Sequence, residues 1–259
     1  MRKTILAVVV IAAACIPAMA SKMKSGEDVL QAMHDKYKGK WYKTMTFVQK
    51  NTQWAQDGSV TKTVWYEAMS LPGKLRIDFG PLDSGNGMMF VDGKQHTFRG
   101  GKLANSAPRV HDLMVLGFDV YGQPVKDSVE QLKSMNYDLS IVSENSWEGR
   151  PVWVVGAKKG DERTHQFWID KEHLYFTKLI KPAGPNGESV QEIQFNKYFK
   201  AKGGGWVAPE VVFLVNGNKF FLEEYTEVRT GVDLDMNLFD PAKWADVDKN
   251  YYKAPEGGI

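Results

Sequence analysis

The chain has 259 residues, of which 43% are hydrophobic, 25% charged and 12% aromatic. This composition is typical of a folded protein and excludes the disordered and collagen-like classes. The formal net charge of +2 gives no reason to expect nucleic acid as a partner. A single cysteine excludes an internal disulfide framework and a thiolate metal cluster.

Residues 1–20 are predicted to be a secretory signal peptide. A positively charged start, an apolar run over residues 5–14 and the Ala-Met-Ala sequence at 18–20 are the three parts of such a signal. The apolar run is shorter than the roughly 20 residues that a transmembrane helix needs. We therefore expect cleavage before Ser21, a periplasmic protein, and one domain over residues 21–259.

Cys15 leaves a second interpretation of this segment open. The sequence Ala12-Ala13-Ala14-Cys15 is a weak form of the lipobox at which bacterial lipoproteins are cleaved and acylated. The alternative to a free periplasmic protein is therefore a lipoprotein anchored through Cys15.

The first predicted element is an amphipathic helix from Ser25 to Lys38. Ser25 and Asp28 have the spacing of a capping box. Its apolar face carries Leu30 and Met33, at a helical spacing. We expect this helix to cover part of a sheet.

From Trp41 onward the apolar period changes to two, which predicts strands. Leu75, Ile77 and Phe79, for example, alternate with charged residues and predict a strand with one apolar face. Turn sequences such as Asp57-Gly58 separate about ten such segments. The pattern indicates a mainly β, antiparallel fold.

Residues 108–136 interrupt the strands with a helical pattern, here called the insertion. Asp127 or Ser128 is expected to cap a helix in its second half. His111, beside Asp112, is interpreted as a solvated residue at a helix start.

Motifs for catalysis are absent from the sequence. It has no His-Glu-x-x-His zinc motif, no phosphate-binding Gly-x-x-x-x-Gly-Lys loop and no Gly-x-Ser-x-Gly elbow. None of the five histidines is three or four residues from another. We therefore expect a protein that is not an enzyme, with no catalytic residue, metal or cofactor.

Large apolar side chains are abundant, with 8 Trp, 13 Phe and 11 Met. Methionine adapts to varied apolar shapes and is common at surfaces that bind them. These residues fit either an ordinary core or a sheet whose apolar face, covered by lid helices, encloses an acyl-chain cavity. Sequence patterning alone does not separate the two.

An ordered series of motifs resembles the LolA family of outer-membrane lipoprotein-sorting proteins. It spans most of the chain after residue 20. The series is Phe47-Val48-Gln49, the corner Leu71-Pro72-Gly73-Lys74-Leu75-Arg76-Ile77, Phe90-Val91-Asp92-Gly93-Lys94, Gly149-Arg150-Pro151-Val152, Phe167-Trp168-Ile169-Asp170, Gly205-Trp206-Val207-Ala208-Pro209 and Leu238-Phe239-Asp240-Pro241.

The resemblance implies an unclosed antiparallel β half-barrel with helices forming a lid over a hydrophobic cavity. It further implies a carrier that takes acyl chains of lipoproteins or lipids toward the outer membrane. An inner-membrane transporter and an outer-membrane acceptor would be its partners. The residues implied for the cavity are Phe47, Leu75, Ile77, Phe79, Met88, Phe90, Leu113, Met114, Leu116 and Phe118, and those implied for the lid helix are Leu30 and Met33.

The sequence departs from the family at one position. In the family an Arg precedes the proline of the corner and hydrogen-bonds the lid, whereas Leu71 stands there in this chain. Arg76 and Lys74 are near but do not occupy that position. The chain is therefore predicted to be a divergent member.

Two other functions are compatible with the same sequence. One is a sensor module that detects lipids or mislocalised lipoproteins, and the other is a periplasmic hydrolase. The lining of the cavity discriminates a carrier from a hydrolase. A carrier needs an almost wholly apolar lining, and a hydrolase needs a nucleophile with a base in reach.

Overall fold

The computed structural model describes residues 23–253, so the predicted signal peptide and Cys15 lie outside the described residues. Within that range the chain forms a thirteen-stranded antiparallel sheet, a two-stranded ribbon and three α-helices. The helices are α1 (Gly26–Tyr37), α2 (Asp112–Gly117) and α3 (Val125–Ser134). The strands are β1 (Thr44–Trp54), β2 (Val60–Ser70), β3 (Lys74–Phe79), β4 (Gly87–Val91), β5 (Lys94–Arg99), β6 (Lys102–Pro108), β7 (Val142–Trp147), β8 (Arg150–Val155), β9 (Gln166–Asp170), β10 (Phe176–Ala183), β11 (Ser189–Asn196), β12 (Phe199–Lys200), β13 (Trp206–Val207), β14 (Glu210–Val215) and β15 (Asn218–Thr230).

The large sheet is open. Its order is β6-β5-β4-β3-β2-β1-β15-β14-β11-β10-β9-β8-β7, so β6 and β7 are edges that do not pair with each other. Strand β1 pairs with both β2 and β15, which joins the early strands to the late ones. The predicted fold class, an unclosed antiparallel sheet with helices, is confirmed.

The helix α1 forms where the sequence predicts it. The Ser25 hydroxyl accepts a hydrogen bond from the Asp28 amide at 3.2 Å, and the Asp28 carboxylate accepts one from the Ser25 amide at 3.0 Å. These two bonds satisfy backbone donors that a helix start leaves free. The apolar face of α1, including Leu30 and Met33, is fully buried in the main core.

That core lies between the three helices and one face of the sheet, here called the inner face. The opposite, outer face is partly covered by the C-terminal segment, residues 234–251, through apolar side chains that include Leu238, Phe239 and Trp244. Parts of β2, β4 and β5 are therefore buried on the outer face as well, at Ala68, Met89, Val91 and Phe98.

Two details of the sequence-based prediction are wrong. Helix α3 begins after Pro124, so neither Asp127 nor Ser128 caps it. Instead the Ser128 hydroxyl accepts a hydrogen bond from the Gln123 side chain at 2.8 Å. Strand β6 was not predicted, because its sequence has no apolar alternation and most of its residues are exposed. Pairing with β5 forms it.

Among the described residues, no helix is both long and apolar enough to cross a membrane.

Candidate ligand-binding cavity

A cavity of about 370 Å³, here called the inner cavity, lies between the inner face of the sheet and the insertion. Its volume is within the range of small-molecule sites. The apolar residues that line it are Phe47, Trp65, Met69, Leu75, Ile77, Met88, Leu113, Met114, Phe118, Ile193, Phe195, Phe213, Phe220 and Phe221. The polar residues that line it are Gln49, Glu67, Arg109, His111, Asp112, Lys181, Gln191, Glu223 and Tyr225.

Strand alternation explains why β1, β2 and β3 contribute apolar side chains to one wall. Residues two apart on a strand share a face. In the register of the sheet Phe47 is opposite Glu67, and Glu67 is opposite Ile77. These three side chains therefore lie side by side on the inner face.

Seven of the ten residues predicted for the cavity line it in the structure. They are Phe47, Leu75, Ile77, Met88, Leu113, Met114 and Phe118. Two elements far apart in sequence, the early strands and the insertion, thus meet at one cavity. Ligand contact by these residues stays a prediction.

The other three predicted cavity residues lie behind its wall. The Phe79 ring packs on Trp65, with centroids 4.8 Å apart, and Trp65 itself lines the cavity. The Phe90 ring meets the ring of His111 edge-on at 4.8 Å, and Leu116 is fully buried in the core.

Helix α1 also stands back from the cavity. Leu30 and Met33 are among its fully buried residues, and neither lines the inner cavity. The helix packs against α3 and against the 3₁₀ turn Asp119–Tyr121. Helix α1 therefore supports the insertion, and the insertion provides the helical part of the cavity wall.

Two glutamates interrupt the apolar wall. Glu67 is 4% exposed, and neither a hydrogen bond nor an ion pair of its side chain is found among residues 23–253. Burial raises its pKa well above the usual range, and the neighbouring Glu223 adds to this shift. Burial also raises the pKa of Glu223 to about 7, although hydrogen bonds from Tyr225 and Gln49 oppose the shift. The Tyr225 hydroxyl donates to Glu223 at 2.8 Å.

Sequence analysis missed both carboxyl groups, although a signal was present. Glu67 shares its face of β2 with Trp65 and Met69, two residues away on either side, and Glu223 shares its face of β15 with Phe221 and Tyr225. A charged residue on the apolar face of a strand is unusual and points to a partner or a function.

A basic group lies at another part of the lining. The Lys181 ammonium donates to the Asp112 carboxylate at 2.6 Å. Burial would raise the pKa of Asp112, but Lys181 holds it below its usual value. Arg109 donates to the Gln95 side chain at 2.9 Å. These cations thus have partners other than the two glutamates.

His111 is not the solvated residue that the sequence predicts. It lines the inner cavity, and its Nδ1 is buried without a hydrogen-bond partner in the described chain. Burial lowers its pKa to about 4, so the imidazole is neutral at pH 7. Its ring packs against Phe90, about twenty residues earlier on β4, and a local sequence pattern does not show such a contact.

A different contact ties the corner at residues 71–74 to the insertion. Leu71 packs against the core, and the Gly73 amide donates to the buried Asp119 carboxylate at 2.9 Å. Arg76 does not replace the missing arginine, since it lies on the outer face under the C-terminal segment. The insertion therefore contacts the corner through its own carboxylate.

Among the described residues that line the inner cavity there is no serine, threonine or cysteine. Residues 23–253 also contain no group of three or more His, Cys, Asp or Glu side chains that could hold a metal ion.

No family model and no curated protein matches the sequence. Solved structures do match. A DUF1329 family protein from Desulfovibrio piger is 14% identical, with a TM-score of 0.58 over 85% of this chain and 97% of that one. A domain from Vibrio parahaemolyticus, named for outer membrane lipoprotein sorting, is 14% identical, with a TM-score of 0.57 over 85% and 98%.

A LolA superfamily protein from Nitrosomonas europaea is 9% identical and has a TM-score of 0.52 over 83% of this chain and 97% of that one. Identities this low establish the fold and not the function. The resemblance seen in the sequence is thus confirmed at the level of the fold. The chain therefore has the fold of these LolA-like structures.

Proposed function

We propose that this protein is a periplasmic carrier that binds acyl chains of lipoproteins or lipids in its inner cavity. The observation that carries the proposal is the apolar wall, to which both the sheet and the insertion contribute side chains. Burying a methylene group contributes about 0.8 kcal/mol. A segment of about ten methylenes would gain about 8 kcal/mol, which corresponds to micromolar affinity.

The insertion gives such a cavity a movable wall. Leu113, Met114 and Phe118 contact the cavity from an element with only short helices. A carrier must release its cargo, and a wall of short helices can separate from the sheet at lower cost than paired strands can. Release would pass the cargo from an inner-membrane transporter to an outer-membrane acceptor, which we propose as partners.

The sensor and the hydrolase remain the competing functions. Both could use the same cavity, and the two carboxyl groups make its lining less uniformly apolar than a simple carrier requires. The lack of a serine, threonine or cysteine among the described lining residues favours binding over nucleophilic hydrolysis. We therefore propose a protein that is not an enzyme.

The first experiment is native mass spectrometry of the protein purified from its own periplasm. A co-purified lipid or acylated lipoprotein, on a chain that begins at Ser21, would support both the carrier function and the proposed signal cleavage. Protein that is empty, and stays empty after incubation with lipids, would contradict the proposal. Hydrolysis of an added ester would favour the hydrolase.

A point variant tests the cavity itself. Ile77→Asp places a charge in the apolar wall and is expected to reduce uptake of a fluorescent fatty acid at least about tenfold. Leu103→Asp is the matched control, because Leu103 is 54% exposed on β6. Normal uptake by a folded Ile77→Asp variant would contradict the assigned cavity face.

A further inference from the structure

Within residues 23–253, no cation lies beside the two glutamates of the inner cavity. Glu67 is 4% exposed and unpaired in the described chain, and Glu223 accepts a hydrogen bond only from neutral groups. The only charged group that shifts the pKa of Glu67 is Glu223. A buried carboxyl without a partner is costly, so native proteins rarely keep one without a function.

The register of the sheet places these groups on the same face, on the two strands that pair with β1. Strand β1 separates β2 from β15, and its residues Phe47 and Asn51 are opposite Glu67 and Glu223 respectively. Gln49 lies between them on the same face and is 2% exposed. Its amide nitrogen donates to the Asn51 side chain at 2.7 Å, which leaves its oxygen as a third acceptor.

This group of acceptors is surrounded by the apolar wall. Phe47, Trp65 and Phe221 line the cavity beside it. An ammonium group has three donors and no acceptor, and it matches two carboxylates and an amide oxygen. A hydroxyl or an ester carbonyl carries no charge, so only an ammonium group gains the Coulombic attraction of an ionised carboxylate.

We propose that the inner cavity binds an amphiphile that carries an ammonium group, with Glu67 and Glu223 holding the ammonium and the apolar wall holding the chain. The inference rests on the proposed function and adds the class of cargo. It assigns a role to two residues that acyl-chain binding alone does not use.

Competition among three probes of equal chain length tests the proposal. Dodecylamine, dodecanol and dodecanoate are each titrated against Nile red bound to the delipidated protein, at about pH 8, where the amine is protonated. Dodecylamine is expected to displace the dye at a concentration about tenfold lower than dodecanol. Dodecanoate is expected to be the weakest, because its carboxylate would approach two others.

The Glu67→Gln, Glu223→Gln double variant is expected to lose this preference and bind the amine and the alcohol within about twofold of each other. Glu224→Gln is the matched control, since Glu224 is exposed on the same strand, and it should keep the preference. Should the double variant not fold, as judged by circular dichroism, Glu67→Gln alone is expected to weaken the preference.

The outcomes separate the two proposals. Equal binding of dodecanol and dodecylamine to the unaltered protein, or a preference that survives in the double variant, would overturn the ammonium site and leave the carrier function standing. Failure of all three probes and of the dye to bind would overturn the carrier function and the ammonium site together.

Discussion

Arg76 and Asp78 form an ion pair in the interior of the protein, on the outer face of β3. The Arg76 Nε donates to the Asp78 carboxylate at 2.6 Å, and the two side chains are 0% and 1% exposed. Arg76 also donates to the carbonyls of Leu238 and Trp244. Lys249 and the Tyr251 hydroxyl complete the partners of Asp78. The pair thereby connects the sheet to the C-terminal segment.

Arg76→Ala is expected to lower the free energy of unfolding by about 3–5 kcal/mol. The substitution leaves a buried carboxylate with only Lys249 as a charged partner, and two carbonyls lose their donor. Urea denaturation of the purified protein measures the change. Arg99→Ala is the control, because Arg99 is an exposed arginine on β5, two strands away in the same sheet. A loss below about 1 kcal/mol would contradict the structural role.

The sequence predicts the inner face of β3 but not this pair. Leu75 and Ile77 mark the apolar face by their alternation, and Arg76 and Asp78 between them have the pattern of a solvated face. They are buried because residues more than 160 positions later cover them. The local alternation of apolar and polar residues carries no information about burial by a segment so distant in sequence.

At the scale of elements, the corner between β2 and β3 is joined to the insertion by Asp119. Its carboxylate accepts the Gly73 amide at 2.9 Å and is 2% exposed. Burial raises the pKa of Asp119 to about 7, and the single hydrogen bond from Gly73 only partly opposes this. No charged group contributes to the shift.

This shift predicts a pH dependence of stability. Because the folded state holds the Asp119 proton more tightly than the unfolded state, the contribution of Asp119 is most favourable below about pH 4 and declines as the pH rises to about 7. Asp119→Asn removes the titration and keeps an acceptor for Gly73. The variant is expected to equal the unaltered protein near pH 4 and to be about 1–4 kcal/mol more stable above pH 7.

Urea denaturation across this pH range measures the difference, with Asp83→Asn as the control, since Asp83 is exposed. A constant difference between Asp119→Asn and the unaltered protein at all pH values would show that Asp119 does not titrate in this range.

Elements with a strong local signal were predictable, and elements formed by pairing were not. The capping box of α1 is complete within four residues, and the helix begins where it predicts. Strand β6 depends on β5 for its hydrogen bonds, so its own residues do not mark it. The same limit applies to the start of α3, where Pro124 decides the boundary.

At the scale of the whole molecule, the inner cavity is a space that the core leaves between the sheet and the insertion. An unfilled apolar space costs stability, because its lining loses packing contacts. A ligand that fills it binds the folded state and not the unfolded one. It therefore stabilises the fold by about 2.7 kcal/mol at a hundred times its dissociation constant.

A larger side chain that fills the inner cavity should replace the stabilisation that a bound ligand gives. Leu113→Trp adds a ring at a position that is half-buried and lines the cavity. We expect the variant to fold, to bind a fluorescent fatty acid at least about tenfold more weakly, and to lose the ligand-dependent rise in thermal midpoint. Leu103→Trp, on the exposed edge strand β6, should keep both properties. The proposed carrier function depends on the empty volume of the inner cavity and not on any single contact. A Leu113→Trp variant that binds ligand and responds to it as before would therefore place the binding site outside the inner cavity.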